Sequence, residues 1–190
     1  MRSNELRIRP LGDDEFPDEH RTIALRHVTK EQSENNLTRT FARAPEVLDA
    51  FLSWAIDIMT RTTLPDRERE IVTVRVAYLV KSNYELAQHL LMSRDAGVTK
   101  DETERLERGV EVGGWSAADA ALIRACDDLA ADFRVSDAVW QLLLGSFSER
   151  QAMDVVMIAA QYFQLGMMLN SFGVQVDPSL KVKLAERGYP

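Results

Sequence analysis

Three polar side chains that could transfer protons recur along one predicted helix, which begins near Ser82. Ser82, Glu85 and His89 stand at spacings i, i+3 and i+7, so a hydroxyl, a carboxylate and an imidazole share one helix face. Glu85 and His89 are i, i+4 neighbours that could hydrogen-bond, which would favour the imidazolium and orient one ring nitrogen. At the edge of a partly dry cleft, such a pair predicts acid–base chemistry at neutral pH.

The same residues also have a purely structural interpretation. Glu85 and His89 could be a surface pair that stabilises the helix by about 0.3 kcal/mol. Glu70 would then lie in an exposed turn with Arg67 and Arg69. The spacing alone leaves both interpretations open.

The elements that must position these residues are predicted to be helices. Apolar residues recur at helical spacing almost without interruption from Asn36 onward, and no stretch alternates with period 2. Capping-box patterns begin at Thr99, Ser116 and Ser148. We therefore expect an all-α fold, a compact helical bundle. Eight helices are expected, over residues 37–44, 45–59, 65–81, 82–97, 100–109, 117–133, 136–144 and 149–171.

The two ends of the chain are predicted to lie outside this bundle. Residues 1–34 are polar, carry two prolines and show no sustained period. We expect them to form an extended or loosely helical arm, which could wrap a neighbouring subunit or be a disordered terminus. The helical domain spans residues 35–177, and residues 178–190 form a carboxy-terminal tail.

The composition argues against several classes of protein. The 190 residues carry a net charge of −7, and the basic residues do not cluster, so we expect no nucleic-acid partner. The sequence shows neither 18 consecutive apolar residues nor a signal peptide, so we expect a cytoplasmic protein without a membrane partner. Cys126 is the sole cysteine, which excludes an internal disulfide, a Cys-Cys redox pair and a multi-cysteine zinc site. We expect no cofactor and no metal.

The frame around Ser82 resembles the carboxymuconolactone decarboxylase and alkylhydroperoxidase D family. Peroxidases of that family carry Glu, eleven residues, Cys-x-x-Cys, three residues and His. Glu70, Ser82, Glu85 and His89 keep this frame, but both cysteines are replaced. The flanking segments LPDR (64–67), VAYL (76–79), ELAQH (85–89) and AGVT (96–99) are also similar. Towards the carboxy terminus, RVSD (134–137), QY (161–162) and NSFGV (170–174) resemble longer single-domain members, so the likeness covers roughly residues 36–177.

The resemblance implies an all-helical fold of the alkylhydroperoxidase D-like type in which Glu70 and His89 form a proton relay. Ser82 and Glu85 occupy the two cysteine positions, and neither side chain can form a disulfide or a thiolate. We therefore expect thiol peroxidase activity to be lost. Cys126 lies on another predicted helix, where we expect a small core residue. The family also implies a homo-oligomer, a dimer, trimer or hexamer.

Further side chains lie on helices that this type of fold packs around its site. Arg75 could anchor an anionic group, or it could pair with Glu70 or with a carboxylate at an interface. Gln161 interrupts an apolar run, and a buried amide needs partners or a ligand. The other candidates for binding the substrate could equally be core or subunit contacts; they are Trp54, Tyr78, Tyr84 and Tyr162.

These observations predict a cysteine-independent, cofactor-free acid–base enzyme. Glu70, Glu85, His89 and Ser82 would act on a small carbonyl, carboxylate or lactone compound by decarboxylation, isomerisation or lactone chemistry. One alternative is a peroxiredoxin-like protein by family, whose thiol activity has been lost. Another is a non-catalytic ligand-binding or assembly protein.

Overall fold

Helices account for all the regular structure in the described part of the chain. The computed structural model describes residues 5–189 and confirms the all-α fold class. The eight helices expected between residues 36 and 177 are present, and three more lie outside that span. In chain order the helices are α1 (Asp18–Leu25), α2 (Lys30–Ser33), α3 (Asn36–Phe41), α4 (Pro45–Arg61), α5 (Asp66–Val80), α6 (Asn83–Asp95), α7 (Lys100–Leu106), α8 (Ala117–Asp132), α9 (Asp137–Leu144), α10 (Glu149–Phe172) and α11 (Pro178–Glu186).

The helix starts follow the capping residues of the sequence. Thr99 and Ser148 each begin a full capping box, in which two backbone N–H groups are satisfied reciprocally. The Ser116 hydroxyl caps α8 by accepting a hydrogen bond from the N–H of Asp119. The Asp119 carboxylate, however, accepts from Arg67 at 2.8 Å and does not bond back to the cap. The capping box predicted at Ser116 is therefore only half formed.

Helix α5 lies at the centre of the bundle, packed against α6, α8 and α10. Every side chain from Glu70 to Ala77 is buried, including those of Glu70, Thr73 and Arg75. A helix buried on all sides has no polar face, so each of these polar groups must find a partner inside the protein. This requirement selects the partners of Glu70 and Arg75 described below.

The amino-terminal segment packs onto its own chain. Leu11, Phe16 and Ala24 are buried in a second hydrophobic core with residues of α3, α4 and α10. The backbone N–H groups of Arg7 and Ile8 both donate to the carbonyl of Phe172. Residues 5–34 therefore contain the two short helices α1 and α2 and pack against their own domain, which fits the loosely helical alternative better than the extended one. The first four residues of the predicted arm lie outside the described residues, and the boundary after residue 34 stays a prediction.

The carboxy-terminal segment also joins the domain. Leu180 and Leu184 of α11, together with Tyr189, are buried in the main core, so residues 178–189 pack against the rest of the domain, and the boundary at residue 178 stays a prediction. Residue 190 lies outside the described part of the chain. Helix α10 is long and apolar enough to cross a membrane by length and composition, but half of its most apolar stretch is buried inside this fold. That burial accounts for its composition as a core helix.

Candidate active site

A tight turn between α5 and α6 brings the predicted site residues together. Lys81 ends α5 in the left-handed conformation, with φ 57°, and its N–H donates to the carbonyl of Tyr78 at 3.1 Å. Ser82 follows at once as the N-cap of α6, where its hydroxyl accepts a hydrogen bond from the N–H of Glu85. The chain therefore reverses within two residues, and α6 folds back along α5.

Glu70 and His89 meet across this reversal. The Nδ1 atom of His89 lies 2.8 Å from Oε2 of Glu70, and the exposed fractions of the two residues are 6% and 0%. Nε of Arg69 lies 3.5 Å from the other carboxylate oxygen, so a cation accompanies the acid. A carboxylate accepts hydrogen bonds, so a neutral imidazole must carry its proton on Nδ1. The lone pair is then on Nε2.

The predicted hydrogen bond between Glu85 and His89 is wrong, although both side chains are buried. His89 takes Glu70 as its partner, and neither carboxyl oxygen of Glu85 has a hydrogen-bond partner among residues 5–189. Helical spacing allowed the i, i+4 pair, but the complete burial of Glu70 left it in need of a donor from a neighbouring helix. The alternative of a solvent-exposed surface pair is excluded by the burial of all three residues.

Glu85 is an acid in an environment that disfavours its charged form. Only 2% of the residue is exposed, and burial raises the pKa of Glu85 to about 8, with the Ser82 hydroxyl opposing this shift only in part. Gly166 of α10 leaves the space that the carboxyl group occupies, since a Cβ atom there would lie 2.6 Å from Oε2 of Glu85. Glu85 is therefore a neutral proton donor at neutral pH.

A cavity of about 230 Å³ lies beside these groups. Glu85, His89 and Gln161 line it together with mostly apolar side chains from the amino-terminal segment, α4, α6 and α10. No lysine or arginine lines this cavity in the described part of the chain. The remaining lining residues are Val28, Gln32, Asn35, Leu37, Thr38, Phe51, Leu52, Ala55, Ile56, Met59, Tyr84, Gln88, Met92, Tyr162 and Leu165.

Two neighbouring residues of α10 contribute differently to the cavity wall. Tyr162 packs edge-on against His89, with ring centroids 4.8 Å apart and an interplanar angle of 84°, and its hydroxyl donates to Sδ of Met59 at 3.2 Å. The Tyr162 ring therefore fixes the plane of the imidazole. Gln161 is 4% exposed, and its two amide atoms have no partner among the described residues.

Arg75 does not anchor a ligand at this site. Its guanidinium group donates to Asp127 at 2.7 Å and to the carbonyls of Leu106 and Glu107 at 2.7 and 2.9 Å. The substrate-binding interpretation is therefore wrong. Because α5 is buried on all sides, Arg75 is committed to the contacts with α7 and α8.

The other predicted site residues fall into two groups. Tyr84 lines the cavity, but its hydroxyl donates to Asp177 at 2.8 Å. Tyr78 and Ser82 line a separate pocket, and Trp54 borders a third on the outside of α4, with 49% of its surface exposed. Tyr78 and Trp54 are thus not part of the cavity, and Ser82 acts as the helix cap next to Glu85.

The sole cysteine is a core residue, as predicted. Cys126 is fully buried, its Sγ lies 3.8 Å from the carbonyl oxygen of Val72, and burial raises the pKa of its thiol. Within residues 5–189, no three His, Cys, Asp or Glu side chains come close enough together to hold a metal ion.

Sequence reasoning missed two contributors to the site. Gly166 carries no local signal, because a helical glycine shows its purpose only when the packed neighbour is known. Val28 and Gln32 belong to a segment without a clear period, so their place in the cavity wall is set by tertiary packing. The signal that could have revealed this segment is the pair of apolar residues Phe16 and Val28 within a polar stretch, because both pack in the second core.

Comparison with known proteins supports the fold and one family. Residues 45–127, which contain Glu70, Glu85 and His89, match the family model described as the carboxymuconolactone decarboxylase family. No curated protein sequence matches the chain.

Several solved structures share the fold over almost the whole chain. An uncharacterized peroxidase-related protein from Silicibacter sp. TM1040 superposes with a TM-score of 0.77 at 20% identity, covering 95% of each chain. The alkylhydroperoxidase AhpD core of a peroxidase-related protein from Ralstonia eutropha JMP134 gives 0.75 at 19% identity, over 91% of this chain and 94% of that one. The debrominase Bmp8, as an alanine-for-cysteine variant in complex with 2,3,4-tribromopyrrole, gives 0.75 at 15% identity, over 97% and 99%. At these identities the likeness shows the alkylhydroperoxidase D-like helical fold alone.

Proposed function

We propose that this protein is a cofactor-free acid–base enzyme acting on a small carbonyl compound or lactone, a proposal supported by the match of residues 45–127 to the carboxymuconolactone decarboxylase family model. The observation that carries the proposal is the buried pair of Glu70 and His89 at the wall of a cavity that also holds the neutral acid Glu85. A base and an acid on one cavity are what enolisation and isomerisation require. Cytoplasmic location and self-association stay predictions.

The base in the proposed reaction is Nε2 of His89. With Nδ1 donating to Glu70, Nε2 can accept a proton from the carbon next to a carbonyl group, and Glu70 stabilises the imidazolium that forms. The edge-on contact with Tyr162 holds the ring in place during this transfer. Glu70 is thus a positioning residue, and His89 is the group that touches the substrate.

The acid in the proposed reaction is the carboxyl group of Glu85. Its pKa of about 8 keeps it protonated at neutral pH, so it can donate to the carbonyl oxygen while the C–H bond breaks. The C–H electron pair moves to the carbon–carbon bond and the carbonyl π pair to oxygen, which gives the enol. In a β,γ-unsaturated carbonyl compound this enol is a dienol, and the imidazolium of His89 returns its proton to the γ-carbon while the enol O–H proton returns to Glu85, which completes the isomerisation and restores both groups.

The cavity wall favours neutral compounds among the predicted substrates. The absence of lysine and arginine from the described lining leaves no cation for a substrate carboxylate, and the carboxylate of Glu70 behind His89 would oppose an anion. We therefore propose ketones and lactones, with isomerisation or lactone chemistry in place of decarboxylation. The tribromopyrrole ligand of debrominase Bmp8 supports small rings as candidates for a cavity in this fold.

Deuterium exchange tests this function without a known substrate. Small cyclic ketones and lactones are incubated with the protein in D₂O, and loss of the α-proton signal is followed by NMR. We expect His89→Gln and Glu70→Gln each to slow exchange by about 100-fold, the scale of general acid–base catalysis. The matched control is His27→Gln, because His27 also bonds to a carboxylate, Asp49 at 2.7 Å, but does not line the cavity.

A second measurement checks the base directly. Long-range ¹H–¹⁵N spectra of the neutral His89 ring should show the proton on Nδ1. Exchange that persists in His89→Gln, or a neutral ring protonated on Nε2, would contradict the proposal. Hydroperoxide consumption coupled to a thiol donor should be absent, since Cys126 lies in the core away from the cavity.

A further inference from the structure

The amide of Gln161 is a buried polar group without a hydrogen-bond partner among the described residues. Gln161 lies in the middle of α10, lines the cavity and is 4% exposed, and neither Oε1 nor Nε2 has a partner among residues 5–189. Leaving an amide donor and acceptor unpaired inside a protein costs free energy that an apolar side chain of the same size would not cost. An incoming ligand can supply both missing hydrogen bonds.

The rest of the cavity limits the chemistry of that ligand. Its walls are mainly aliphatic and aromatic, and no described lysine or arginine is present to neutralise an anion. Its volume of about 230 Å³ leaves room for a small ring. The ligand is therefore neutral, compact and mostly apolar.

We infer that Gln161 orients the ligand and that the site takes a small cyclic lactam, a ring in which an N–H stands next to a C=O. Oε1 of Gln161 accepts from the lactam N–H, and Nε2 donates to the lactam carbonyl, so one amide satisfies the other. Apolar walls hold the carbons of the ring. The inference rests on the proposed function, whose cavity it uses, and it adds cyclic amides to the ketones and lactones of that function as the ring compounds that the cavity binds most tightly.

Binding of three ring compounds of equal size tests the inference. The full chain is titrated with 2-piperidinone, δ-valerolactone and cyclohexanone by ligand-observed NMR, with cyclohexanecarboxylate as the anionic probe. We expect the lactam to bind about tenfold more tightly than the lactone or the ketone, because only the lactam completes both hydrogen bonds. The anion should bind more weakly than any neutral ring.

The variant Gln161→Met assigns the preference to the amide. It keeps the length of the side chain and removes both polar atoms, so the lactam should lose about tenfold in affinity while cyclohexanone stays within about twofold. Gln141→Met is the matched control, because Gln141 lies exposed on α9 outside the cavity. Equal affinity of the wild-type chain for lactam and ketone would overturn the inference, as would an unchanged lactam affinity in Gln161→Met.

The outcomes separate this inference from the proposed function. Lactam preference without deuterium exchange of any carbonyl compound would refute the acid–base reaction and support the role of Gln161. Exchange that depends on His89 without lactam preference would refute the role of Gln161 alone. The lactam preference and the deuterium exchange are both measured on the wild-type chain, so they can be interpreted even if Gln161→Met fails to fold.

Discussion

Glu85→Gln should change how the stability of the protein depends on pH. The carboxyl group of Glu85 is 2% exposed, and burial raises its pKa from 4.5 to about 8. In the unfolded chain the same group regains water and its ordinary pKa. Glutamine has nearly the same shape and no proton to lose, so the substitution removes this titration and little else.

The direction and size of the effect follow from proton linkage. Below pH 4.5 both states hold the proton, and above about pH 8 neither does. Between these values only the folded state holds it, so each pH unit lowers the free energy of unfolding by about 1.4 kcal/mol. From pH 5.5 to pH 7.5, Glu85 should thus cost the wild-type protein about 3 kcal/mol of stability that Glu85→Gln does not lose.

Urea denaturation followed by circular dichroism at several pH values measures this difference. All other groups titrate alike in both proteins, so subtracting the two curves isolates Glu85. Glu186→Gln is the matched control, because Glu186 is exposed on α11 and its removal should leave the wild-type pH dependence in place. Parallel curves for the wild type and Glu85→Gln between pH 5.5 and 7.5 would refute the assignment of Glu85 as a neutral buried acid.

Three further substitutions check separate parts of the structure. Gly166→Ala should destabilise the protein by about 2 kcal/mol in urea denaturation, because its Cβ would lie 2.5 Å from Cγ1 of Val80 and 2.6 Å from Oε2 of Glu85; an unchanged midpoint would contradict these overlaps. Arg75→Met should lower the free energy of unfolding by about 3 kcal/mol in the same assay, because it leaves Asp127 and two carbonyls unpaired. An unchanged free energy of unfolding would contradict the structural role of Arg75. Cys126→Ala should cost about 1 kcal/mol and leave deuterium exchange intact, whereas lost exchange would bring the thiol into the reaction.

The helices could be predicted from the sequence because their signals are local. Proline at the first turn, hydroxyl caps and apolar spacing set the bounds of the eight central helices within a few residues. The helices of the amino-terminal segment could not be predicted in the same way. Its helices α1 and α2 span eight and four residues, too few for a period, and they are held by contacts with α3, α4 and α10.

The contacts of the candidate site could be predicted only in part. Glu70, Glu85 and His89 are all buried, and spacing along one helix favoured Glu85 as the partner of His89, whereas the family resemblance implied the contact between Glu70 and His89 that the structure has. Which carboxylate meets the imidazole depends on how α5 is buried and how α6 rotates against it, and neither follows from local sequence. Because α5 is buried, Arg75 also bonds to groups within the protein, namely Asp127 and two backbone carbonyls.

Three separate stretches of chain line the cavity. The relay lies within residues 45–127, whereas Val28, Gln32 and Thr38 on one side and Gln161 and Tyr162 on the other come from outside that segment. If the proposed function is right, part of the cavity lining can change independently of the proposed proton relay. We expect chimeras that replace residues 28–38 to alter which ring compounds bind and to leave the contact between Glu70 and His89 in place.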